Sequence, residues 1–202
     1  MLGLITQRQI INSFGSKCDQ LESEYITFFE KLNINLHIIS NFQSIRIDNF
    51  DLLILTGGGS IYKEQQDRDN IEMNLFKYAF KKNIPIIGIC RGMQYINLML
   101  GGSISENATL KIDRPNRIDH NVKIKNDTIK VNNYHNDIIF YSDLSKELEP
   151  LAIDNENETI EAYYKSGILG VQWHPEREFT DEYSKDYSTN LIKKFIDNRG
   201  IL

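Results

Sequence analysis

The run Pro85-Ile86-Ile87-Gly88-Ile89-Cys90-Arg91-Gly92-Met93-Gln94 constrains this chain more than any other. Its apolar half reads as a buried strand and its second half as the start of a helix, with a cysteine at the junction. Gly88 and Gly92 stand two residues to either side of Cys90, which removes the Cβ atoms that would collide across so tight a turn. The pattern is the thiol counterpart of the Gly-x-Ser-x-Gly elbow, which holds a nucleophile on a sharp strand-to-helix corner. A thiol placed there meets the positive end of the helix dipole, which favours the nucleophilic thiolate.

A cysteine in an apolar run is by default a small core hydrophobe. Two distant segments argue for chemistry instead. Leu169-Gly170-Val171-Gln172-Trp173-His174-Pro175-Glu176 is a second apolar strand, ending in a base and a carboxylate. Alternation along an extended chain puts His174 and Glu176 on one side, so the carboxylate can orient the imidazole while the imidazole faces a thiol. That is the arrangement of a Cys-His-acid triad. Upstream, Leu52-Leu53-Ile54-Leu55-Thr56 runs into Gly57-Gly58-Gly59, a backbone free to aim N–H groups at an oxyanion.

The first half of the chain alternates strand and helix as a parallel sheet covered on both faces requires. Strands are expected at Leu2–Thr6, Leu36–Ile39, Leu52–Leu55 and Ile84–Ile89. One helix is marked by Leu21, Tyr25, Phe28, Phe29 and Leu32, with Asp19 as its candidate N-cap. A second is marked by Ile71, Leu75, Tyr78 and Ala79, after a polar stretch holding Asp67 and Asp69. The helix after Cys90 is apolar almost all round, so it should be buried, and Gly101-Gly102 should stop it. From Ser103 to about Lys165 the pattern changes to short segments. Val122–Lys125 and Thr128–Val131 flank an Asn126-Asp127 turn, and Leu151–Ile153 and Thr159–Tyr164 flank a polar one, which predicts an antiparallel addition to the sheet. Ile168–Trp173 returns to the core, and an amphipathic helix over roughly Glu182–Asn198 closes the chain. Trp173 is expected in the core.

The 202 residues fit one α/β domain spanning 1–202. A net charge of −5 argues against a broad basic face for nucleic acid. The apolar run at Met1–Thr6 is too short for a signal-peptide core and no later run approaches a membrane span, so a cytoplasmic protein without a membrane partner is expected. Cys18 and Cys90 make a disulfide framework improbable in that setting, and Cys18 reads as a bystander. His37, His120, His135 and His174 lack the close spacing to Cys or carboxylate of a structural metal site, so no metal is expected.

Taken together, Thr56-Gly57-Gly58-Gly59, Gly88-Ile89-Cys90-Arg91-Gly92-Met93-Gln94, Asn133-Tyr134-His135 and Gly170-Val171-Gln172-Trp173-His174-Pro175-Glu176 resemble the class I glutamine amidotransferase-like hydrolases, over nearly the whole chain. The resemblance implies a flavodoxin-like α/β fold, with Cys90 as nucleophile, His174 as base and Glu176 as its orienting partner. It also implies that the N–H groups of Gly58 and Arg91 form the oxyanion hole, that Gln94 helps hold the glutamyl head, and that no cofactor takes part. Tyr134, His135 and Asn136 fall where the family has a substrate-facing loop, although a histidine after a strand is equally a surface or hydrogen-bonding residue. His120 and Glu161 match family tendencies, and structural roles suit both.

Arg91-Gly92-Met93-Gln94 looks more like the γ-glutamyl hydrolase branch than like glutaminase domains, so the expected partner is a small γ-glutamyl conjugate. Overall resemblance within that branch suggests a γ-glutamyl-CDP-amidate, cleaved during capsule phosphoramidate synthesis. The alternative is a glutaminase subunit that passes ammonia to a separate synthetase. Between Glu106 and Asn136 six Lys or Arg face four Asp or Glu. A solvated strand face explains this excess, and a phosphate-binding rim of Arg91, Arg114 and Arg117 beside the leaving group is the sharper alternative.

Overall fold

The structure is a computed structural model that describes residues 1–43, 49–106 and 118–202. Arg114 and Arg117 lie outside the described residues. Four-residue apolar runs supply the centre of a nine-stranded sheet. Strands β1 (Leu2–Ile5), β4 (Asn35–Ile38), β5 (Leu52–Leu55), β6 (Ile86–Ile89) and β11 (Ile168–Val171) lie in the order β4-β1-β5-β6-β11, all parallel. Every residue of β5, β6 and β11 is buried, as both faces of a covered parallel sheet demand. The antiparallel strands β10 (Thr159–Lys165), β9 (Glu149–Asp154), β7 (His120–Ile124) and β8 (Asp127–Val131) continue the sheet beyond β11 in that order.

Alternation divides the strand side chains between two cores. Leu52 and Ile54 join Tyr25, Phe28 and Phe29 of α1 (Ser23–Lys31) and Ile192, Phe195 and Ile196 of α4 (Glu182–Asp197). Leu53 and Leu55 join Ile71, Leu75, Phe76 and Ala79 of α2 (Gln66–Lys81) and Met93 and Ile96 of α3 (Arg91–Met99) on the other face. Trp173 is fully buried and donates from Nε1 to Ser188 Oγ at 2.8 Å.

Three sequence expectations need correction. Asp19 does not cap α1, whose N-cap is Glu22; it lies in β3 (Lys17–Gln20), which pairs with β2 (Arg8–Ile11) in a separate hairpin. There its carboxylate accepts from Ser40 Oγ and from the side chain and backbone N–H of Asn41, which ties the hairpin to the chain after β4. The polar stretch with Asp67 and Asp69 is the first turn of α2 rather than its approach. Finally, β11 ends at Val171, so Gln172 and Trp173 lie beyond the strand.

Candidate active site

Strands β5, β6 and β11 are neighbours in the sheet, so the three segments that carry chemistry emerge side by side at one edge. Cys90 follows β6 directly, with its N–H donated to Val171 O at 2.8 Å and with φ 52° and ψ −107°. A non-glycine residue held there costs on the order of 1–3 kcal/mol, which the surrounding packing must offset. A Cβ at Gly88 would lie 2.7 Å from Met93 N, across the turn as the sequence suggested. Gly92 answers a different need: its Cβ would overlap the carbonyl oxygen of Leu55 on the neighbouring strand. Glycine here lets α3 sit directly on β5.

His174 presents Nδ1 to Glu176 Oε1 at 2.6 Å, leaving Nε2 for the thiol. Both side chains are shielded from solvent. Asn132 clamps the His174 backbone from both ends, accepting from its N–H at 2.8 Å and donating to its carbonyl at 2.9 Å. Burial alone would lower the imidazole pKa. The negative charges of Cys90 and Glu176, with hydrogen bonds to both, outweigh burial and raise it to about 10. The ring therefore sits between the Cys90 sulfur and the Glu176 carboxylate with its charged form favoured.

The Gly57–Gly59 turn closes the site. Gly57 donates its N–H to Tyr25 Oη at 3.0 Å, and a Cβ on it would strike His174 Cε1 at 2.7 Å. The N–H groups of Gly58 and Arg91 donate to no acceptor among the described residues, and both residues line the cavity beside Cys90. For Arg91 this follows from its place at the first position of α3, where helical N–H groups have no internal partner.

A cavity of about 360 Å³ gathers Gly58, Cys90, Arg91, Gln94, Tyr134, His135, Asn136 and His174. Glu176 stands behind His174. Gln94 Nε2 donates to Asp137 O at 2.8 Å and to Gln172 Oε1 at 3.2 Å, and so carries the loop after β8. The Tyr134 ring meets His174 edge-to-face at 5.6 Å and lies beneath the Arg177 guanidinium at 4.3 Å. Among the described residues no group of three or more His, Cys, Asp and Glu is arranged to hold a metal ion.

The phosphate-rim alternative fails for Arg91. Its side chain is buried and pairs with Glu72 at 2.5 Å and with Asp69, pointing into α2 rather than into the cavity. His120 and His135, far apart in sequence from Glu161, meet it in space at 3.5 and 3.9 Å. Sequence reasoning also missed Tyr25, Asn132, Arg68 and Glu72. Tyr25 and Asn132 were visible only as a helix core position and a strand-end asparagine. The spacing of Arg68 and Glu72, four apart on α2, resembles an ordinary solvated ion pair.

Among the described residues no helix is long and apolar enough to cross a membrane. The fold is that of a solved Thermotoga maritima glutamine amidotransferase, with a TM-score of 0.73 at 17% identity, covering 100% of this chain and 98% of that one. A Schizosaccharomyces pombe protein provisionally named glutamine amidotransferase PB2B2.05 is 35% identical over 181 residues, 74% of this chain and 70% of its own length. The glutamine-hydrolyzing GMP synthase of Staphylococcus aureus (strain Newman) is 28% identical over 203 residues, 95% of this chain but 36% of the synthase. Residues 32–176 match the Peptidase C26 family, a span that includes the elbow, the Gly57–Gly59 turn and both His174 and Glu176. With that match and the related chains, this protein belongs to the Peptidase C26 family of class I glutamine amidotransferase-like proteins.

Proposed function

We propose that this chain hydrolyses the γ-glutamyl amide bond of a small γ-glutamyl conjugate. The observation that carries the reading is the alignment of a strained Cys90 elbow, an imidazole held at 2.6 Å by Glu176, and two uncommitted N–H groups around one cavity. Family membership supports amide-bond hydrolysis, and Arg91-Gly92-Met93-Gln94 supports a γ-glutamyl conjugate over glutamine itself.

In this reading the Cys90 thiolate attacks the γ-carbonyl carbon, and the oxyanion that forms accepts from Gly58 and Arg91 N–H. His174 then gives its proton to the departing nitrogen as the C–N bond breaks, leaving a glutamyl thioester. Water, deprotonated by His174, attacks the thioester. The C–S bond breaks, glutamate leaves and the thiolate is restored. Glu176 keeps Nδ1 protonated and stabilises the positive ring. The nucleotide-linked leaving group expected from sequence draws no support from Arg91, whose guanidinium is committed to Asp69 and Glu72. The proposal therefore stops at the γ-glutamyl amide.

The matched region of the GMP synthase favours one second reading, a glutaminase module that feeds ammonia to a partner. Purified protein given a γ-glutamyl anilide or glutamine separates the two. The first reading expects release of the amine from the anilide without a partner and faster than ammonia from glutamine. Ammonia release that appears only when a second protein is added would overturn it. Cys90→Ala should lower turnover by at least about 10³-fold with the fold intact, as loss of a triad nucleophile does.

A further inference from the structure

A buried charge cluster grips the backbone of the Gly57–Gly59 turn and the side chain of Arg91. A trans peptide is planar, so a carbonyl and the N–H of the following residue point in opposite directions. Arg68 Nη1 donates to Gly57 O at 3.2 Å and to Gly58 O at 2.7 Å, while Nη2 donates to Thr56 O at 2.6 Å. With the Gly57 carbonyl drawn toward α2, the Gly58 N–H is turned away from α2. Arg68 is in turn fixed by Glu72, whose Oε1 accepts from Nε at 2.8 Å and from Thr6 Oγ1 at 2.7 Å. The other oxygen of Glu72 accepts from Arg91 Nη1 at 2.5 Å. One carboxylate thus grips, directly or through Arg68, both residues that offer N–H groups beside Cys90.

All four charged side chains, Arg68, Asp69, Glu72 and Arg91, are buried, and their charges balance. Charges removed from water are costly unless paired and hydrogen-bonded, so the cluster has little freedom to move. The fork of Arg68 suits three carbonyls at once, which a lysine could not serve. We propose that Glu72 and Arg68 are positioning residues for the oxyanion hole, holding Gly58 and Arg91 N–H groups in register with each other. This rests on the reading of Cys90 as an acyl-transfer nucleophile.

The test compares a reaction that builds an oxyanion with one that does not. Turnover of a γ-glutamyl anilide builds one; alkylation of Cys90 by iodoacetamide displaces iodide and does not. In Glu72→Gln, kcat should fall about 10²–10³-fold, as when an oxyanion donor is removed, with KM and the alkylation rate each within about threefold of wild type. Glu72→Asp, which restores the charge, should recover part of kcat. Hydrogen exchange across Thr56–Ser60, which needs no substrate, should quicken in Glu72→Gln. Arg68→Lys should behave alike, and it carries the comparison if Glu72→Gln does not fold.

Alkylation falling in step with kcat would reduce the cluster to scaffolding, and unchanged kcat would remove it from the reaction. Either overturns the proposal. If the wild-type protein cleaves no γ-glutamyl amide, the functional reading fails separately, and unchanged exchange at Thr56–Ser60 then overturns the positioning role.

Discussion

Two buried polar clusters flank Cys90, and they are built differently. On the α2 side, Arg68, Glu72 and Arg91 make contacts of 2.5–3.2 Å with every nitrogen of the Arg68 guanidinium engaged, and Asp69 pairs with Arg91. On the antiparallel side, Glu161 stands 3.5 Å from His120 and 3.9 Å from His135, and Thr159 Oγ1 donates to its other oxygen at 3.1 Å. The tight cluster lies under the atoms that would stabilise an oxyanion, where small displacements cost most rate. The loose one lies under the loop of Tyr134, His135 and Asn136, which would meet the substrate and adjust to it. Close-set support for the candidate oxyanion donors and wider-spaced support for the candidate binding wall are thus separated across one cavity.

Removing one charge from each cluster should break the symmetry most clearly. Glu72→Gln leaves two buried guanidinium groups with Asp69 alone, and should lower unfolding free energy by about 3–5 kcal/mol. Glu161→Gln keeps the Thr159 hydrogen bond and removes no contact shorter than 3.5 Å to a histidine, so a loss of about 1 kcal/mol is expected. Urea unfolding of both variants measures the difference. Equal losses would mean that the two clusters are alike in kind.

The imidazole between them gives a smaller, spectroscopic effect. His174 should remain imidazolium at pH 8 in NMR titration, because Cys90 and Glu176 raise it against burial to about 10. In Cys90→Ala, with one negative partner gone, the midpoint should fall. A midpoint unchanged by that substitution would deny the thiolate–imidazolium pair.

The smallest effect concerns His135. Burial lowers its pKa, more than Glu161 can restore, while His120 and His174 oppose its charge further. Its folded pKa therefore lies below the unfolded value of about 6.5. Stability from this group is complete above about pH 6.5 and lost as pH falls through the folded value. Glu161 is also lowered, by His120, His135 and Thr159 against burial, so its share is lost only below about pH 4.5. His174 is shifted the opposite way: its share is complete below about pH 6.5 and lost on the alkaline side. Between about pH 6.5 and 4.5, the melting temperature of His135→Gln should therefore fall less steeply than that of wild type. A fall as steep as wild type would contradict this.

The parallel half of the fold was legible because its central strands are short apolar runs, and both hairpins beyond Ser103 carried their turns in sequence. Lys125 takes the left-handed conformation, so the first turn is Lys125-Asn126, one residue earlier than expected. Cys90 was legible because it directly follows an apolar strand, and His174 and Glu176 because they lie three and five residues beyond the end of another at Val171. The β2–β3 hairpin was not, because Arg-Gln-Ile-Ile and Lys-Cys-Asp-Gln show no apolar alternation. Its turn is held by Asn12 Oδ1, which accepts from the N–H groups of Phe14 and Ser16. The charge cluster was illegible for another reason. Burial of Arg68 and Glu72 depends on Arg91, which reaches them only once α3 lies against α2 and β5.

The central claim, that Cys90 carries a glutamyl group during turnover, is tested most directly by acid-quenching the protein within milliseconds of mixing with a γ-glutamyl anilide. Mass analysis of the peptide holding Cys90 should show an added glutamyl group, formed in a burst with the released amine and absent from Cys90→Ala. Amine release at the wild-type rate with no acyl group on Cys90, or in Cys90→Ala itself, would contradict the account.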